Sequence, residues 1–115
     1  MNYYRHLRRM HYRDHTAVKF HPEDPRYASL PDNYMDHAAD ITTPVLLMTG
    51  RPNRVFGDSN VECHRRLEAL VPGRHALRVI DGYGHQDVFM GESSARDVFP
   101  HIVTFIDRHR GRVAS

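Results

Sequence analysis

One run of residues constrains this chain more than any other: Pro44-Val45-Leu46-Leu47-Met48, closed by Thr49-Gly50. It lacks the apolar/polar alternation of a strand with one wet face. A strand that is apolar at successive positions is buried on both sides, as the central strands of parallel sheets are. Parallel strands need a crossover, and the next residues supply one. Residues 51–57 read as a loop, and Asp58-Ser59-Asn60 offers a helix N-cap. The spacing predicts a helix to about Val71, with Val61, Leu67, Leu70, Val71 and His64 or Cys63 on its inner stripe. Pro72-Gly73 stops it. Ala76 to Ile80 is a second short strand, and Asp81-Gly82-Tyr83-Gly84-His85 is a glycine-bracketed turn. A last helix is expected over residues 95–110, capped by Ser93 or Ser94. Val98, Phe99, Ile102, Val103, Phe105 and Ile106 give it a wide apolar face. Pro100 either kinks that helix or marks where its principal part begins. The order strand, helix, strand, helix predicts an α/β fold with two parallel strands joined by a right-handed crossover.

Ahead of this block the pattern is weaker. Residues 1–15 predict a helix with a thin apolar stripe, Tyr3, Tyr4, Leu7 and Met10, and a face rich in Arg and His. Residues 17–20 alternate as a short strand would. His21-Pro22-Glu23-Asp24-Pro25 and Leu30-Pro31-Asp32-Asn33 are turn chemistry, and residues 31–39 have room for a short helix. The chain therefore divides into a connector with an N-terminal helix (1–40), an α/β block (41–110) and a tail (111–115).

Composition excludes several classes of function. Sixteen Lys+Arg against 14 Asp+Glu is too even a balance to argue for a nucleic-acid partner. Arg5, Arg8, Arg9 and Arg13, with Tyr3, Tyr4 and Tyr12 beside them, form a basic helical face, but no binding motif accompanies it. The single cysteine, Cys63, rules out an intrachain disulfide and a Cys-only zinc site, and reads as packing. The longest apolar run is far shorter than the ~20 residues that span a bilayer. Residues 1–15 are too polar for a secretory signal. These absences predict a cytoplasmic chain with no membrane span and no cofactor. His11 and His15 stand four apart on the first helix, with His6 nearby, but local spacing sets no third metal ligand. A solvated His/Arg face is the simpler reading, and no metal site is expected.

Chemistry belongs at the carboxyl ends of the strands, where open α/β sheets meet their ligands. The loops after Gly50 and after Ile80 both leave that edge. Gly82 and Gly84 free the backbone on either side of Tyr83 and set His85 out over it. Histidine, with an ordinary pKa near ~6.5, suits general acid/base work there.

These residues resemble a known family. Pro44-Val45-Leu46-Leu47-Met48-Thr49-Gly50 looks like the strand before the acid loop of α/β-hydrolases, and Asp81-Gly82-Tyr83-Gly84-His85 like the loop of their catalytic histidine. Gly84-His85-Gln86-Asp87, Phe89-Met90-Gly91 and Asp97-Val98-Phe99-Pro100 are similar to the end of lipase-like hydrolase domains found beside cholesterol-oxidase-type flavin oxidoreductases. They are similar, more distantly, to acid lipases. The resemblance covers about residues 41–110. It implies a Ser–acid–His esterase mechanism, with His85 as the base. It also implies that residues 1–40 correspond to the end of a lid.

No Gly-x-Ser-x-Gly occurs, and none of Ser29, Ser59, Ser93, Ser94 and Ser115 lies between glycines on a strand-to-helix elbow. The expectation is therefore the C-terminal, incomplete part of a hydrolase sheet, which lacks the nucleophile and is inactive alone. Its partners would be the missing N-terminal part of the domain or further copies of itself, with a flavin oxidoreductase as neighbour. The acid position of the family pattern falls on Asn53, and Asp58 is the nearest carboxylate in that loop. Asp87, two residues past His85, reads as ordering the loop. The alternative expectation is a non-catalytic interaction module or gene remnant that folds on a partner.

Overall fold

A computed structural model describes residues 2–55 and 57–111, without the side chains of Asn2, Arg13 and Asp14. Met1, the Arg13 side chain of the basic face and the tail from residue 112 lie outside the described residues. The chain forms two units, Met1–Thr42 and Thr43–Ser115.

In the first unit the N-terminal helix is α-helical only over Asn2–Arg8 (α1) and widens into a π-helical turn over Arg9–Asp14. It ends at His15 in the left-handed region, φ 48°. The expected strand at 17–20 shrinks to one antiparallel bridge, Val18 to Asn33. The Lys19 amide donates to the Asp32 carbonyl at 2.9 Å, and the Tyr34 amide to that of Ala17 at 2.9 Å. Prolines flanking this segment leave too few free amides for a longer ladder. Lys19 is buried, and its ammonium reaches the Leu30 carbonyl at 3.1 Å and Asp32 at 2.9 Å. A charge so placed needs those partners to offset its lost hydration. The short helix expected after Pro31 is a 3₁₀ segment, Tyr34–Asp40, capped by the Asn33 side chain.

The second unit holds the α/β arrangement. Strand β1 (Leu46–Gly50) and strand β2 (Ala76–Ile80) are parallel, in register from Leu46 opposite Ala76 to Gly50 opposite Ile80. Helix α2 (Ser59–Leu70) connects them, and the Asn60 amide group ties it to the Met48 carbonyl at 2.7 Å. Of its expected inner stripe Leu67 is buried, whereas Leu70 is exposed. Beyond β2 the chain makes two short helices, α3 (Asp87–Met90) and α4 (Ser94–Asp97), and then α5 (Phe99–His109). The single helix expected over 95–110 is thus divided at Val98. Pro100, in the first turn of α5, marks the start of the principal helix, where its missing N–H costs nothing. The core is small: Ile80, Val88 and Val98, with Met48 and Tyr83 packed on it.

The reading of β1 as a strand buried on both faces is not realised within these residues. Leu46, Leu47 and Met48 are only half-buried, because among the described residues the sheet has two strands and each has an open side. The apolar face of α5 is likewise uncovered, with Val103 56 % and Ile106 55 % exposed. Open strand edges and bare apolar faces favour association. The isolated chain is expected to self-associate, sedimenting above its 13.4 kDa monomer mass. Sedimentation equilibrium checks this, and Val103→Glu with Ile106→Glu should shift the distribution toward monomer.

Candidate active-site edge

The two loops that leave the carboxyl ends of β1 and β2 meet face to face. Gly50, the last residue of β1, is the point of contact: a Cβ there would lie 1.6 Å from the Tyr83 carbonyl oxygen and 2.9 Å from that of Gly84. Only glycine lets the backbone of the His85 loop lie directly on the strand end. The Arg51 amide donates to the Ile80 carbonyl at 2.8 Å, and its guanidinium pairs with Asp81. That ion pair is exposed on both sides, so it orients the loops more than it stabilises them.

The turn beyond β2 is held by side chains from the segment that follows it. Gly82 adopts φ +78°, a left-handed angle that suits glycine. Gly84 serves differently from the expectation of a second special backbone angle: its bare Cα makes room for the Asp87 carboxylate, 2.7 Å from where a Cβ would sit. The Gly84 amide donates to Asp87 Oδ2 at 2.8 Å, so Asp87 closes the turn from which His85 projects. Buried Ser94 donates its hydroxyl to the Asp87 carbonyl at 2.7 Å. Gly91 packs against that carbonyl, Ser94 and the Tyr83 ring. Tyr83 donates to Asp97 Oδ2 at 2.8 Å. His85 itself is exposed at the edge.

The two acid-loop positions differ in what they already hold. Asn53 donates to Thr49 Oγ1 at 3.2 Å and accepts from the Val55 amide at 2.8 Å, so one end of its amide serves β1 and the other its own loop. Asp58 stands at the N-cap of α2, but its side chain makes no cap bond there.

Hydrogen bonds from Arg96, and then from Tyr83, hold the Asp97 carboxyl down at about 2. Burial first, and the bond to Asp97 second, pushes the Tyr83 phenol up. Because the folded value lies below the ordinary ~3.9 of an aspartate, this contribution to the loop is present above about pH 4. It is lost as pH falls toward 2. Near-UV circular dichroism is expected to hold from pH 8 to pH 5 and to decay below pH 4, with Asp97→Asn removing that part of the acid transition.

The remaining sequence candidates fall elsewhere. His6 stacks edge-on against Phe20 at 5.1 Å, and His11 against Tyr12 at 4.6 Å. No group of three or more metal-ligating side chains occurs among the described residues. Cys63 is half-buried, and burial pushes its thiol up, away from a reactive thiolate. No helix among the described residues is long and apolar enough to cross a membrane. Two features escaped the sequence reading: the Tyr83–Asp97 bond, and a cationic cavity at the opposite end of the strands. The first joins residues 14 apart that both belong to the quoted motifs, so pairing a loop tyrosine with a later aspartate was open to inspection. The second gathers residues scattered from 74 to 109 and left no local signal. Compared with protein-family models, with curated proteins and with solved structures, the chain matches none of them.

Proposed function

We propose that this chain is the C-terminal part of a lipase- or esterase-like serine hydrolase of the α/β type, and that it contributes the catalytic histidine. The observation that carries the reading is the meeting of the two strand-end loops across Gly50, with exposed His85 held over the carboxyl edge of two parallel strands. A general base for ester hydrolysis belongs in such a place.

In this reading the serine comes from residues upstream of the present ones. The His85 imidazole takes the proton from the serine hydroxyl as its oxygen attacks the ester carbonyl. It then returns that proton to the departing alkoxide, leaving an acyl-serine. Water repeats the cycle: His85 accepts a proton from the water and gives it back to the serine oxygen as the acid leaves. The imidazolium formed in each step is stabilised best by a charged acceptor. Asp58 is the better acid of the two positions, since Asn53 carries no charge and its amide is engaged with Thr49 and Val55. A flavin oxidoreductase neighbour and a cytoplasmic location belong to the same reading.

The test is the reading frame upstream of Met1. The expected finding is an apolar strand followed by Gly-x-Ser-x-Gly, whose serine in the expressed longer chain reacts covalently with a fluorophosphonate. Unrelated sequence before an in-frame stop overturns the proposal. It would favour the second reading, a non-catalytic interaction module that folds on a partner. The half-buried β1 and the uncovered face of α5 give that alternative its support.

A further inference from the structure

At the amino ends of the strands, away from His85, a cavity of about 210 Å³ opens beside Leu46 and Ala76. Its charged and titratable lining is Arg74, His75, Arg78, His101, Arg108 and His109, with no carboxylate among the lining residues. Basic residues in the last turn of a helix have an ordinary explanation, the partial negative charge of its carbonyl end. That covers Arg108 and His109, which end α5. It does not cover Arg74, Arg78 or His101, which come from the turn before β2, from β2 itself and from the first turn of α5. Among the described residues Glu68 accepts from the Gly73 amide at 2.7 Å and Asp107 pairs with Arg110 at 3.3 Å, and neither lines the cavity.

His75 supplies a second, independent observation. It is 6 % exposed, and its Nδ1 accepts the Val45 amide at 3.2 Å. An Nδ1 that accepts carries no proton, so the neutral ring is protonated on Nε2. Nε2 is buried and has no hydrogen-bond partner among the described residues. A buried donor without an acceptor is costly and calls for one.

We propose that this cavity binds a phosphoryl group of a small molecule, such as free phosphate or pyrophosphate. Three guanidiniums match the several charges and oxygens of a phosphoryl group better than the single charge of a carboxylate, and their planar forks bind such oxygens in pairs. His75 belongs to the same wall. The enclosure suits a terminal phosphoryl group, not the continuous backbone of a nucleic acid, which needs an open groove.

Equilibrium dialysis of the full chain against labelled pyrophosphate, at constant ionic strength set with chloride, tests the proposal. Saturable binding at one site per chain is expected. It should weaken by about tenfold or more in Arg78→Gln and in Arg108→Gln, as loss of a charged hydrogen-bonding partner implies. Both positions are exposed, so these variants leave the fold intact where His75→Phe endangers it. A single-stranded oligonucleotide should not compete. The proposal is overturned by absence of saturable binding, by an affinity in both arginine variants equal to that of the unaltered chain, by equal displacement with added chloride, or by effective competition from the oligonucleotide.

Discussion

Gly50→Ala is expected to lower the stability of the second unit by about 3 kcal/mol or more, the upper range for a single substitution. The added methyl would sit 1.6 Å from the Tyr83 carbonyl oxygen, and that neighbour is backbone, unable to rotate aside. The strand end and the His85 loop must therefore separate. Separation pulls Tyr83 off the small core of Ile80, Val88 and Val98, and lengthens the bond from the Arg51 amide to Ile80. A core this small has little to absorb the change. Denaturant unfolding followed by tyrosine fluorescence is the check, with a fall in midpoint as the expected result. Gly57→Ala is a control of a different kind. Among the described residues, chain neighbours aside, no atom lies within 4 Å of a Cβ at Gly57, so the strain of its φ of +44° is what the substitution adds. A midpoint shift in Gly50→Ala no larger than in that control would mean the loops do not rest on each other.

Gly50 also illustrates what a sequence of this kind discloses. The strand it closes was legible because Val45 to Met48 offer no polar position, and the crossover was legible because Pro72-Gly73 punctuates the helix before β2. The parallel pair and its register follow from those local signals. Burial did not follow, because it depends on what lies beside the strand: Leu46 and Leu47 have the composition of interior residues and are half-exposed among the described ones. Helix α5 departs in the same way, amphipathic by spacing and with Phe99, Val103 and Ile106 exposed.

At the candidate site, the exposed position of His85 was legible from Gly82 and Gly84 before it, and Asp87 as the residue that orders the loop. The reason Gly84 must be small was not, since it lies in a side chain three residues onward closing back on the turn. Asn53 could be placed in the loop by counting from Gly50, but the engagement of its amide with Thr49 and Val55 is a matter of folded geometry. The N-terminal helix was legible in position. Its widening to a π-helical turn at Arg9–Asp14 has no sequence signal that we recognise.

The second large effect concerns His85. If it is the general base, its removal leaves the serine hydroxyl protonated during attack and the leaving alkoxide without a proton donor. Loss of one member of such a triad lowers kcat by about 10⁴-fold or more, because the members act as a unit. The Michaelis constant should change little, since a general base acts in the transition state and not in ground-state binding. Asp58→Asn should cost less than His85→Ala, because the acid orients and stabilises the imidazole without itself accepting the serine proton. Asn53→Ala should loosen the loop after β1 with a smaller effect on turnover.

The most direct measurement is esterase turnover on a short-chain nitrophenyl ester, made with the 115-residue chain and with the chain extended by its upstream frame. No turnover is expected from the 115-residue chain, turnover from the extended chain, and a loss of about 10⁴-fold in kcat on His85→Ala in the extended chain. Turnover by the 115-residue chain that His85→Ala abolishes would contradict the proposed function, by requiring a nucleophile within these residues. So would an extended chain whose turnover survives that substitution.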